Sequence, residues 1–193
     1  SYNSKCGISL DLPFTNCLPT KICAEFCYAA QGRQNYKKAV IKSLAVNRLI
    51  IKDPEHVARK MVDEAAGRTI RIAGSGEIIP EHKALLEHVE NYGGKWWGFT
   101  KRVDTHQALP ELMFSLDATT PKATLEYVQD YVPVSRRAYL IQSEETKPPL
   151  EVAVTFPIHG PWTNKVPLTE LLATDCPAAR KEVSGCWQCE RCY

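Results

Sequence analysis

Thr15-Asn16-Cys17-Leu18-Pro19-Thr20-Lys21-Ile22-Cys23-Ala24-Glu25-Phe26-Cys27-Tyr28 places three cysteines within eleven residues. Thiolates grouped this tightly are soft ligands, suited to zinc or to an iron–sulfur cluster. The bland alternative is a set of buried or disulfide-paired cysteines. The far end of the chain weighs against it, because Cys176-Pro177 is followed by Cys186-Trp187-Gln188-Cys189-Glu190-Arg191-Cys192, a C-x9-C-x2-C-x2-C array. Two such groups at opposite ends of one chain read as metal chemistry. The candidate ligands are Cys17, Cys23 and Cys27 in a loop over 15–28, and Cys176, Cys186, Cys189 and Cys192 in a tail over 176–193.

Structural zinc usually takes paired C-x2-C knuckles separated by a loop. Three cysteines at x2 spacing with a remote Cys-Pro look more like ferredoxin-type ligation, though in a different order. The expected cofactor is therefore an iron–sulfur cluster, one or two per chain, with zinc as the alternative. Cys6 precedes the first strand and either packs beside the tail group or fills the core.

Working outward, the cysteine loop follows Cys6-Gly7-Ile8-Ser9-Leu10-Asp11-Leu12-Pro13, whose apolar alternation predicts a short strand stopped by proline. Five more β-rich runs follow at 69–73, 95–100, 112–117, 137–142 and 152–156. Helical periodicity spans 34–51, and Asp53-Pro54-Glu55 reads as the capped start of a helix that Gly67 stops. Further helices are expected from Pro80 to Gly93-Gly94, around Gln107 to Leu109, after a cap at Thr119-Thr120-Pro121, and from Pro167 to Ala173. Strands alternating with helices predict a parallel α/β sheet in a single domain over 1–193, doubly wound or curled into a partial barrel.

With 193 residues, 44% hydrophobic and 24% charged, the chain has the make-up of a soluble domain able to bury a sizeable core. No run approaches the ~18 apolar residues of a membrane span. Eight cysteines without a secretion signal predict a reducing, cytoplasmic setting rather than a disulfide scaffold. The net charge of +2 conceals an asymmetry: residues 1–60 hold ten Lys/Arg and four Asp/Glu, for +6, and the remainder stands at −4. A basic first third could attract nucleic acid. A solvated helix face bearing Lys37, Lys38, Lys42, Arg48 and Lys52 is the preferred reading.

In parallel α/β folds the functional loops lie at the carboxyl ends of the strands. The cysteine loop follows strand one and Gly74-Ser75-Gly76-Glu77 follows strand two, so the two are expected to be neighbours. Glycines let backbone approach a ligand, and Glu77 can accept from an ammonium group. Ser115 and Asp117, which end a later strand at the same face, are candidates for meeting a ribose hydroxyl. Thr100, Lys101 and Arg102 share that end and offer positive charge. His56, His82, His88, His106 and His159 show no ligand spacing and read as surface or core histidines.

A cysteine loop after strand one with a glycine-rich, glutamate-ended segment after strand two resembles the radical S-adenosylmethionine enzymes. The resemblance implies a partial (β/α)6 TIM-like barrel and a [4Fe-4S] cluster with one iron open to a small-molecule ligand, S-adenosylmethionine. It also implies contact of that ligand with Gly74 to Glu77, and an external electron donor. The spacing here is C-x5-C-x3-C, whereas that superfamily's usual spacing is C-x3-C-x2-C. A broader likeness rests on Asn3-Ser4-Lys5, Cys27-Tyr28-Ala29, Phe99-Thr100-Lys101 and the ending Cys186-x2-Cys189-x2-Cys192. In these the chain is similar to a phage-associated group named after gene product eighty-eight of a bacteriophage, which implies a host-cell cytoplasmic setting and no particular substrate. The rival reading is a non-catalytic binding module stabilised by zinc or clusters.

Overall fold

All six predicted β-rich runs become strands, and they pair in the order in which the chain makes them. The computed structural model describes residues 2–3, 7–31, 35–141 and 148–157. Cys6, the expected helix from Pro167 to Ala173, His159 and the four tail cysteines lie outside the described residues.

A two-residue strand, β1 (Tyr2–Asn3), runs antiparallel to β2 (Gly7–Leu10). Every later pairing is parallel. β3 (Ile70–Ile72) joins β2 through Ser9↔Arg71, and β4 (Trp96–Trp97) joins β3 through Ile70↔Trp96. β5 (Phe99–Thr100) opens a second four-stranded sheet with β6 (Met113–Asp117), β7 (Arg137–Ile141) and β8 (Val154–Pro157). The molecule is a mixed α/β domain built on parallel strands.

The single run expected over 95–100 is divided at Gly98. A Cβ there would fall 3.0 Å from the Ile72 carbonyl oxygen and 3.1 Å from Ile78 Cδ1, so a side chain at this position would crowd both. Trp97 and Phe99, one on each side, still meet edge to face with centroids 5.5 Å apart.

The helices follow their sequence signals closely. α1 (Lys21–Glu25) and α2 (Tyr28–Gln31) are short turns inside what the sequence offers as a loop. α3 (Lys37–Lys52) turns Lys37, Lys38, Lys42, Arg48 and Lys52 to solvent, as expected of a solvated basic face. α4 (Pro54–Ala65) is capped by Asp53, whose Oδ1 accepts from the His56 N–H at 3.2 Å, and it ends with Ala66 in the left-handed region. α5 (Lys83–Asn91) follows a 3-10 turn at Pro80–His82 and buries Leu85, Leu86 and Val89 against α4 and β3. α6 (Val103–Ala108) begins four residues before the predicted segment, with Asp104 in its first turn.

β6 is buried at all five positions, as a central parallel strand covered on both faces should be. Phe114 and Leu116 pack on Val128 and Val132, the side of α7 (Lys122–Tyr131), while Met113 meets Ala138 and Val154 on the opposite face. Burying a side chain such as Phe114 or Leu116 contributes about 1.5–3 kcal/mol. α7 starts where its cap was expected, but without a side-chain capping bond. Pro121 is the cap residue and supplies no side-chain bond, because Thr119 and Thr120 turn back to Asp117 instead.

Candidate metal centre

The cysteine loop is fastened first by backbone. Gly74 N–H donates to Leu10 O at 2.9 Å, and Leu12 N–H donates to Ser75 O at 2.8 Å, zipping the segment after β2 onto the segment after β3. Gly76 has φ +74°, and a Cβ there would stand 2.2 Å from Leu12 O; one on Gly74 would stand 1.8 Å from Ser9 Oγ. The close approach these glycines permit is thus to the chain itself. Its effect is to bring Glu77 beside the loop.

Beyond Pro13 a 3-10 turn delivers Asn16 into the interior. Its Nδ2 donates to Glu77 O at 3.2 Å and to Asn47 Oδ1 at 3.1 Å. Asn47 Oδ1 also lies 2.8 Å from His82 Nε2, so α3 holds the loop through Asn47, which the buried histidine braces. Burial pushes His82 down to about 4, which leaves it neutral. Arg102 Nη1 donates to Asn16 O at 3.1 Å, immediately before Cys17.

Thr20 caps α1. Its Oγ1 accepts from the Cys23 N–H at 3.2 Å and donates to Asp117 Oδ2. Thr119 Oγ1 accepts the Ile22 N–H at 3.1 Å and donates to Asp117 Oδ1 at 2.8 Å. Lys101 Nζ donates to Asp117 Oδ2 at 2.8 Å, and the Thr119 N–H donates to Oδ1 at 2.9 Å. Burial alone would raise Asp117, but the Lys101 and Thr20 hydrogen bonds, with the Lys101 charge, hold it below its ordinary range. Thr20 and Thr119 thus tie this carboxylate to the cysteine loop.

Burial pushes Cys17 up to about 12, aided by the negative charge of Glu77 and of the other two thiols. Cys23 is raised by burial too, with Lys101 opposing. Cys27 Sγ accepts from the Ala30 N–H at 3.4 Å. The charges of Glu77 and Cys27 bear on both Cys17 and Cys23. Among the described residues no three His, Cys, Asp or Glu side chains converge on a point that would hold a single ion. A cluster bonds its thiolates to separate irons, so it does not require that convergence.

Glu77 is 8% exposed. Burial lifts its carboxyl to about 7, against the pull of hydrogen bonds from Thr100 and the Lys101 backbone. Its Oε1 has no donor within reach. Beside the loop, Thr20, Lys101, Ser115 and Thr119 line an open cavity of about 550 Å³, floored by Phe114. Ser115 is among the residues that line this cavity, while Ser75 contributes its backbone to the loop.

Of the residues expected from sequence, Cys17, Cys23, Cys27, Glu77 and Asp117 are brought together. Asn16 and Thr20 were not anticipated. Thr20, three residues before Cys23, carries the threonine signature of a helix cap and was legible on that ground. Asn16 carries no local signal.

The fold and site define a parallel α/β protein with a cysteine-rich loop seated at the carboxyl ends of its strands. The chain belongs to the family described as Gene product 88, whose family model matches residues 2–193. No curated protein and no solved structure matches it. Among the described residues no helix is long and apolar enough to cross a membrane.

Proposed function

We propose that this chain is an iron–sulfur protein in which Cys17, Cys23 and Cys27 hold a [4Fe-4S] cluster. Cys176, Cys186, Cys189 and Cys192 are proposed from their spacing as ligands of a second cluster. In this reading the six parallel strands curve into an incomplete (β/α)6 barrel with the cysteine loop at its mouth, an architecture of the radical-SAM kind. S-adenosylmethionine is then the small-molecule ligand proposed for the iron that lacks a thiolate, and a one-electron donor is the expected partner.

The observation that carries this reading is the free Oε1 of Glu77. A buried carboxyl oxygen left without a partner costs about 1–3 kcal/mol, a cost that an occupant carrying positive charge or a donor would remove. Beside three cysteines that occupant is cationic or donates a proton: an iron centre, or the ammonium group of a ligand bound to it. A bound cluster supplies one-electron chemistry and, with S-adenosylmethionine, a substrate-abstracting radical.

The chain's own residues bind and orient. Thr20 and Thr119 fix α1, and with it the Cys23 backbone. Asn16 ties the loop to the Glu77 backbone. Glu77 presents one oxygen inward while Thr100 and Lys101 hold its carboxylate.

Anaerobic iron, sulfide and zinc analysis tests the reading. Brown protein with matched iron and sulfide is expected. Colourless protein with stoichiometric zinc would replace it with a metal-stabilised binding module.

A further inference from the structure

An ion pair is buried next to Cys23. Lys101 and Asp117 meet at 2.8 Å with side chains 10% and 0% exposed. The carboxylate is one hydrogen bond from Thr20 Oγ1, which in turn accepts the Cys23 N–H, so Asp117 lies two bonds from the backbone of a proposed ligand. Both charges reach the sulfur: Lys101 favours the Cys23 thiolate and Asp117 opposes it. Stability alone is a poor reason for such a pair, since burying two charges often costs more than their attraction returns. Anchoring α1 needs only hydrogen-bond donors and an acceptor. What a full positive and a full negative charge add, in a poorly screened place, is control of the potential at the loop.

We infer that Lys101 and Asp117 are positioning residues whose opposed charges set the reduction potential of the centre held by Cys17, Cys23 and Cys27. The inference rests on the iron–sulfur reading of the loop. Reduction adds one electron, supplied in the experiment by dithionite, which is oxidised; no bond in the protein forms or breaks. Lys101 favours the more negative, reduced state, and Asp117 disfavours it. The two side chains therefore pull the same equilibrium in opposite directions.

The test is an anaerobic redox titration of the full chain followed by electron paramagnetic resonance, read in the signal that Cys23→Ala abolishes. Lys101→Met should lower the midpoint potential and Asp117→Asn should raise it, with Lys101→Arg close to the parent. A purely structural pair would move both variants the same way or neither. Asp117→Asn is nearly isosteric and can still bond Thr20 and Thr119. Read alone, it overturns the inference if its potential is unchanged or lower, so the test survives even if Lys101→Met unfolds. A loaded cluster whose potential ignores these substitutions sinks the inference and leaves the iron–sulfur reading standing. A chain that takes up neither iron nor sulfide sinks both.

Discussion

Thr20 donates its hydroxyl to Asp117 while accepting the backbone N–H of Cys23 at 3.2 Å. One hydroxyl therefore ties the helix that carries a candidate ligand to the end of β6. The Asp117 carboxylate serves as the hub, with Lys101 and Thr119 supplying its remaining donors.

Thr20→Val should remove the cap of α1 and leave Asp117 one donor short. A loss of about 1–2 kcal/mol is expected, seen as a lower urea midpoint with unchanged slope. Thr20→Ser keeps both bonds and should stay near the parent. Equal midpoints for the valine and serine variants would show that the bridge contributes nothing.

Gly76→Ala and Gly67→Ala form a matched pair. Both glycines have positive φ, +74° and +80°, but a Cβ at 67 meets nothing within 4 Å while one at 76 runs into Leu12 O. Gly67→Ala should cost about 1–2 kcal/mol from backbone strain alone. Gly76→Ala should cost clearly more and should also lower metal loading, because the loop must move off Ser75. Equal losses at the two positions would contradict the close approach.

His82 makes stability depend on pH. Its pKa is about 4 in the fold against an ordinary 6.5. Above about pH 6.5 the imidazole is neutral in both states and its full contribution is present. As pH falls from about 6.5 to about 4 the unfolded chain takes up a proton that the fold refuses, and stability drops by about 3 kcal/mol at most. His82→Gln should be less stable at pH 7.5, and the gap between the variant and the parent should narrow at pH 5. A constant gap in urea titrations at the two pH values would refute this.

Cys27→Ala should strip metal from the loop, because three thiolates cannot spare one. Deleting Cys192-Tyr193 should lower total metal. Full iron content in both variants would remove the cysteines from the ligand set.

What could be read in advance divides by range. Local punctuation announced Asp53-Pro54 as a cap and Gly67 as a stop, and both act within four residues of themselves. The β-rich runs were equally plain, since period and composition are local. Gly98 was hidden inside Trp96-Trp97-Gly98-Phe99-Thr100, which reads as unbroken because the carbonyl crowding it belongs to Ile72. α6 was placed late because Val103 and Thr105 are β-branched and weak helix formers. At the site, the cysteines and Glu77 were legible from residue type and their order after β2 and β3. The links from Asn16 to Asn47 and from Thr20 to Asp117 join partners 31 and 97 positions apart, where no local pattern reaches. The tetrad glycines were legible as points of close approach, yet what approaches them is the Ser9–Pro13 backbone and side chains.

The 97 positions between Thr20 and Asp117 are also an interval of time. At ~5–20 residues per second, a ribosome needs roughly 5 to 20 s to travel from one to the other. For most of that interval all three thiols have been made, while the carboxylate that pins the helix of Cys23 has not. A metal or oxidant that captures them early does so on an unanchored segment. In the iron–sulfur reading proposed above, the order of filling, before or after β6 is complete, decides whether the loop is seated with its cluster or has to be reopened to receive it.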